Sequence, residues 1–240
     1  MSYIIINGKS SKQVHGLLIQ SLPPITKPQK RVEIEEIDGR DGDIITHLGF
    51  SAYDKPLQIG LYDSFDIDEI IDYFNSEGEI IFSSEADKIY KFQIIDQIDF
   101  NRLIRFRTAT VNIHVQPFKY PAVEQPITFE SETDNDFPII FNKTIRNIGN
   151  YESVPIYTIK GQGNINIYID GKKKLEFTLP SETTAIIDVM KMNLVDSNGN
   201  FLNRYAIGDY NNLRLKVGKN EVRITGDVSE IKIERFSRWV

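Results

Sequence analysis

The chain has 240 residues, of which 40% are hydrophobic and 26% charged, with a formal net charge of -6 and no cysteine. This is a globular rather than a disordered composition, and the length accommodates two modest domains or one large β domain. The lack of cysteine excludes disulfide staples, thiolate catalysis and cysteine metal sites, and the acidic balance argues against tight binding of a phosphate backbone, where each neutralised phosphate needs a cation against it.

The charge is unevenly spread: residues 1–121 hold 13 Lys+Arg against 18 Asp+Glu, and residues 122–240 hold 15 against 16. No apolar run is long enough to span a bilayer, and the first residues lack the basic start and apolar core of a signal peptide. The expectation is a soluble protein made in the cytoplasm.

Residues 3–6 read as a short strand closed by the tight turn Asn7-Gly8, and residues 14–20 as a second strand stopped by Pro23-Pro24. Residues 31–37 alternate, with Val32 and Ile34 on one side and Arg31, Glu33 and Glu35 on the other. The run Asp38-Gly39-Arg40-Asp41-Gly42-Asp43 then reverses the chain and residues 44–46 run back, which makes a hairpin with a charged tip. Ile67, Ile70, Ile71 and Phe74 fall at i, i+3, i+4 and i+7, the stripe of a short helix that Asp66 caps and Gly78 is expected to end. Strands at 79–83 and 89–96 follow.

A long strand is expected over residues 103–116. In it Ala109, Val111, Ile113 and Val115 share one face, opposite Thr108, Thr110, Asn112 and His114. Ile104 and Phe106 sit on the other parity, so a bulge is expected at Arg107. Charges such as Arg105 and Arg107 in this strand imply that part of it meets solvent or a partner.

The stretch Gln116-Pro117-Phe118-Lys119-Tyr120-Pro121 closes that strand, and the texture changes after it. Residues 122–136 are polar and read as a linker or first edge strand. Eight short β runs follow at 138–141, 154–160, 165–169, 174–179, 185–188, 212–216, 221–225 and 230–235, with Asp170-Gly171 as a hairpin turn between two of them. The fold expected is mainly β. Residues 1–121 form a β-sandwich-like N-terminal domain with one short helix and an extended hairpin arm, and residues 122–240 a C-terminal β-sandwich or jelly roll.

Chemistry finds little purchase. The three histidines, His15, His47 and His114, have no partner at metal-ligand spacing, and His114 reads as a solvent-facing strand residue. Gly161-Gln162-Gly163 lacks the third glycine and following helix of a phosphate loop and reads as a β turn. Asp196-Ser197-Asn198-Gly199-Asn200 starts like a calcium loop but displaces its glycine and puts Ile207 where the bidentate acid belongs, so it too reads as a turn. Carboxylates are abundant, yet no pair can be set across a cleft as a glycosidase requires. No catalytic residue, cofactor or metal is assigned, and the expectation is a non-enzymatic protein.

The first half resembles the N-terminal domain of the distal tail (Dit) protein family of long, flexible-tailed bacteriophages. The resemblance runs through the strand from Tyr3 to Gly8, Gly16-Leu17, Pro23-Pro24, the hairpin Gly39-Arg40-Asp41-Gly42-Asp43, the helix from Ile67 to Phe74 and the strand from Arg107 to Tyr120. The second half is similar to the galectin-like or carbohydrate-binding-module-like sandwich that follows in this family, through residues 215–224. There Gly218 and Asn220 make a tight turn and Val222 and Ile224 re-enter the core.

The resemblance implies a homohexameric ring at the tip of the tail tube in the virion, or in a prophage-derived tail or tail-like bacteriocin. A hairpin from each subunit wraps its neighbour and DNA leaves through the central opening. The implied partners are the tail tube protein, the hub or lysin protein, and receptor-binding or baseplate components, with no membrane and no tight nucleic-acid binding. On this reading Arg31, Asp38, Gly39, Arg40, Asp41, Gly42 and Asp43 serve the arm, and Arg105, Arg107, Asn112 and His114 are candidates for subunit contacts. The alternative is a glycan-binding module in the second half, for which the single tryptophan, Trp239, is the aromatic candidate.

Overall fold

Alternating apolar residues separated by tight turns dictate antiparallel pairing, and the computed structural model, which describes residues 2–130 and 139–240, is built almost wholly of it. The chain divides into two compact units, residues 1–122 with Val240, and residues 123–239.

In the first unit the elements are β1 (Ile4–Ile6), β2 (Lys9–Ser10), β3 (Leu17–Ser21), β4 (Lys30–Glu36), β5 (Asp43–Phe50), β6 (Tyr53–Leu61), α1 (Ile67–Phe74), β7 (Glu77–Phe82), β8 (Lys88–Gln93), α2 (Phe100–Phe106) and β9 (Thr108–Pro121). Seven of the strands form one sheet in the order β2-β1-β7-β8-β9-β6-β3, with antiparallel pairings throughout. The β1–β2 hairpin turns on Asn7 and Gly8, at φ 47° and 85°. Both residues are left-handed, which is the geometry of the two-residue hairpin loop that matches strand twist.

Asp66 caps α1 as its position demands, accepting from the amides of Asp68 and Glu69. The helix buries Ile70, Tyr73 and Phe74 in the core, with the Tyr73 hydroxyl donating to the carbonyls of Ile4 and Lys9. Its end departs from expectation. The helix stops at Phe74 with Asn75 as its cap, and Gly78 lies inside β7 instead.

A larger departure is α2, where a strand and a bulge were expected. Asp99 accepts from the amide of Arg102 at 2.8 Å and starts a helix that ends on Arg107 in the left-handed region, φ 60°. Only Leu103 of this helix is fully buried, so Ile104 and Phe106, whose alternation imitates a strand, lie on its surface. Arg105 is therefore a helix residue, and the strand begins at Thr108.

In the second unit the elements are β10 (Ile127–Glu130), β11 (Ile139–Asn147), β12 (Ile156–Ile169), β13 (Lys172–Asp188), β14 (Asn193–Asp196), β15 (Ala206–Gly208) and β16 (Gly218–Glu234). The polar stretch after Pro121 supplies β10 as an edge strand; residues 131–138, which hold the rest of that stretch and the start of the run expected at 138–141, lie outside those described. Six of the short runs expected from sequence are joined in pairs into three long strands, β12, β13 and β16, and each long strand takes part in two layers. One layer pairs β11, the first half of β16, the second half of β12, the first half of β13, and β15. The other pairs β10, the second half of β16, the first half of β12, the second half of β13, and β14.

The run Gly161-Gln162-Gly163 is thus a corner within β12, marked by a register shift, and not a turn. A Cβ at Gly161 would lie 2.3 Å from the carbonyl oxygen of Asp227, so only glycine lets β12 and β16 bend past each other here. One cluster of buried side chains, with Tyr157, Ile159, Phe177, Ile187, Ile224 and Ile231 among them, draws on both layers. The expected strand at 212–216 is a single turn of 3-10 helix (Tyr210–Leu213) followed by a lone bridge between Leu215 and Ser153.

Candidate functional site

The hairpin of β4 and β5 belongs to neither sheet. It forms a two-stranded ribbon of its own, and every residue of β4 is exposed. The register sets Glu33 opposite Thr46, Ile34 opposite Ile45 and Glu36 opposite Asp43. Residues that face each other across an antiparallel pair share a side, so one face carries Val32, Ile34 and Ile45 and then the acids Glu36 and Asp43 toward the tip. Ile34 and Ile45 are 57% and 54% exposed. An isolated hairpin is marginal in water, and among the described residues no third strand pairs with either edge of this one.

Of the arm residues named from sequence, Arg31 sits at a register shift near the base of β4 and donates to the carbonyl of Leu48 at 3.2 Å. Asp38, Gly39, Arg40, Asp41 and Gly42 form the tip. The Arg40 amide closes on the carbonyl of Ile37, Gly39 and Gly42 are left-handed, and Asp43 opens the return strand.

The ribbon is rooted firmly. The Ser51 amide donates to the carbonyl of Gln29 at 2.9 Å, and Phe50 meets Phe118 edge to face with ring centres 5.7 Å apart. Beneath the preceding segment lies Lys55, 2% exposed, whose ammonium donates to the carbonyl of Pro24 at 2.8 Å. The rings of Tyr90, Tyr53 and Phe82 stand 5.1, 5.6 and 5.6 Å from that ammonium. Burial pulls the Lys55 pKa down to about 8; the Glu85 carboxylate opposes that shift and Lys119 adds to it.

Lys119 pairs with Glu85 at 2.8 Å, and the Tyr90 hydroxyl also donates to Glu85. Burial would raise the Glu85 carboxyl, but these two hydrogen bonds prevail and hold it below the usual carboxylate range. Sequence reading missed this buried polar group: Lys55 lies on β6, a strand not anticipated from the sequence, and Lys119 takes a core-facing position near the end of β9.

The four candidates for subunit contacts do not form one face. Asn112 and His114 lie on β9, where Asn112 donates to Asp96 at 3.0 Å and His114 Nδ1 lies 2.7 Å from Asp54. Arg105 and Arg107 lie at the C-terminal end of α2. The Arg105 guanidinium stacks over the Phe106 ring at 5.3 Å, while Arg107 lies over Phe65 at 4.9 Å and donates to the carbonyl of Asp63. Arg102, Arg105, Phe106 and Thr108 line an open recess of about 540 Å³ together with Asp99 and Asn101.

A serine–histidine contact that sequence reading did not anticipate joins His15 Nε2 to Ser64 Oγ at 3.0 Å. The nearby Glu69 accepts from the His15 backbone amide and from Lys9, so it does not bear on the ring nitrogen that a catalytic acid would orient. Those same contacts, with Lys9 foremost, hold its carboxyl below the ordinary range. Residues 196–200 form the expected turn, in which Asp196 accepts from the amides of Asn198 and Asn200.

No protein-family model matches the chain, and neither does any curated protein. Among solved structures the chain is similar to the SPP1 Dit protein (gp 19.1), described as a paradigm of the hub adsorption apparatus in phages that infect Gram-positive hosts. The two share 15% identity with a TM-score of 0.65, over 97% of this chain and 98% of that one. At that identity the likeness concerns architecture, and the chain has a Dit-like, mainly β fold along nearly its whole length.

Proposed function

We propose that the chain is a structural, non-enzymatic component of a phage tail tip, one that closes with five copies of itself into a ring between the tail tube and the adsorption apparatus. The observation that carries this reading is the solvent-exposed β4–β5 ribbon on a Dit-like fold. The ribbon offers backbone hydrogen-bonding edges and exposed aliphatic side chains and contributes nothing to its own core. A closed ring needs a heterologous contact, with a donor patch and a different acceptor patch on each subunit, and a rooted arm is such a donor.

The ring's opening passes DNA. An acidic first half, with 13 Lys+Arg against 18 Asp+Glu in residues 1–121, suits a channel that must not retain a polyanion. The partners are the tail tube protein, a hub or lysin protein, and receptor-binding or baseplate components. Mass photometry with negative-stain imaging of the full chain, alone and with its tube protein, tests the reading. Six-fold rings are expected, and protomers that stay single at every concentration in both preparations overturn it.

The glycan-binding alternative rested on Trp239. That residue is half-buried and follows the buried Ser237 and Arg238, which does not favour a stacking platform. Specific hits for the full chain on a glycan array would revive it.

A further inference from the structure

We infer that the recess beside α2 is the seat of the arm of a second copy of this chain. This inference rests on the ring reading above and names the surface that receives the arm. The first ground is charge. Between Lys30 and Asp43 the arm carries six acids (Glu33, Glu35, Glu36, Asp38, Asp41 and Asp43) against three bases. Among the described residues none of the six enters an ion pair. From Asp99 to Arg107 the signs reverse, with three arginines against a single acid, and Asp99 is already engaged as the helix cap. Arg102, Arg105 and Arg107 are all exposed and enter no ion pair among the described residues. Opposite fields of this kind steer encounter and fix register.

The second ground is the match of apolar groups. The arm face with Ile34 and Ile45 continues into Glu36 and Asp43, and the recess sets Phe106, 61% exposed, beside Arg102 and Arg105. An aliphatic pair against the part of the Phe106 ring that Arg105 leaves open, with the two acids meeting the two guanidinium groups, satisfies both surfaces at once.

Placement decides between a subunit's own arm and a neighbour's. The arm is rooted where β6 begins, at the Tyr53–Val115 rung, and α2 ends at the other limit of that ladder, where Gly60 meets Thr108. Seven residues of strand separate the two rungs, roughly 24 Å. The arm's own residues are exposed throughout β4, so the arm does not lie back along its own subunit. Donor and acceptor at opposite limits of one ladder make a head-to-tail contact, the kind that closes a ring.

The test uses the full chain, whose lack of native cysteine permits a clean cross-link. Ile34→Cys combined with Phe106→Cys, both at exposed positions, should on mild oxidation give a ladder of disulfide-linked oligomers ending at the ring. The pair Arg102→Glu and Arg105→Glu should raise the concentration needed for assembly at least tenfold with an unchanged circular dichroism spectrum. Adding Glu36→Lys and Asp43→Lys to that chain should restore assembly. Rings that form normally in the charge-reversed protein, or rings that give no ladder, overturn this seat while leaving the ring itself standing. A wild-type chain that never associates removes both.

Discussion

Lys55 lies beneath the carbonyl of Pro24, 2.8 Å from ammonium to oxygen, and ties the segment that leads into the arm to the first rungs of the main sheet. The contact couples a surface device to a buried charge, and burial makes that charge costly: the folded pKa is about 8 against an ordinary 10.5. Between those two values the unfolded chain binds more protons than the folded one, so stability rises with pH across that window. The full rise is on the order of 1–3 kcal/mol. Urea denaturation at pH 7.5 and 9.5 should show the gain in the wild type and its loss in Lys55→Met. Equal gains in both proteins would show that the rise comes from other groups. The raised Tyr90 and Tyr53 hydroxyls, buried beside Lys55, act in the opposite sense once the pH nears the ordinary tyrosine value of 10.0, so the comparison stops at pH 9.5.

Residues Asp38 to Asp43 make no contact with either core, and their side chains are exposed. Replacing this tip with a two-residue turn should therefore leave unfolding free energy within about 0.5 kcal/mol of wild type, as for other surface changes. The same change should abolish the ring, because it removes the end of the ribbon together with Asp43. Light scattering reports assembly and circular dichroism reports folding, so unchanged oligomers of the shortened chain would end the assembly role of the tip.

The arm and the first helix were legible because each rests on a local signal: alternation broken by two glycines, and an Asp66 cap ahead of an i, i+3, i+4, i+7 stripe. The missed helix, α2, is short and mostly exposed, so only Phe100 and Leu103 carry its inward period, while Ile104 and Phe106 alternate as a strand would. Asp99 three residues before Arg102 was the available clue. The sandwich corners failed for a different reason. Glycine marks a reversal and a bend alike, and what separates them is the pairing of strands distant in sequence, which no local pattern contains. The buried group of Lys55, Glu85 and Lys119 was invisible on the same account, since its three members come from three separate elements.

The close approach of β12 and β16 can be tested at the corner of β16. Gly226 has φ 143°, where a side chain is strained, and an added Cβ would stand 2.7 Å from the carbonyl oxygen of Asn164. Gly226→Ala should destabilise the second unit by roughly 2–4 kcal/mol, from backbone strain plus the displaced strand. A change below about 0.5 kcal/mol in equilibrium unfolding would mean that the bend is not held by the close approach of β12 and β16.

Asn220 shows how a turn that sequence reading does find can be worth more than its rank as a surface reversal implies. Its side chain is 1% exposed, accepts from the Lys216 amide at 2.9 Å and donates to the carbonyls of Lys216 and Gly218 at 2.9 and 3.1 Å. These three bonds satisfy backbone groups at the start of β16, directly before Val222 and Ile224 enter the core. Asn220→Ala leaves the partners unsatisfied and should lower stability by about 2–4 kcal/mol, whereas Asn220→Asp keeps the acceptor, loses both donor bonds and should fall between alanine and wild type near neutral pH. Urea titrations of the three proteins rank them. An aspartate variant as stable as wild type would show that the two donated bonds carry none of the turn's stability.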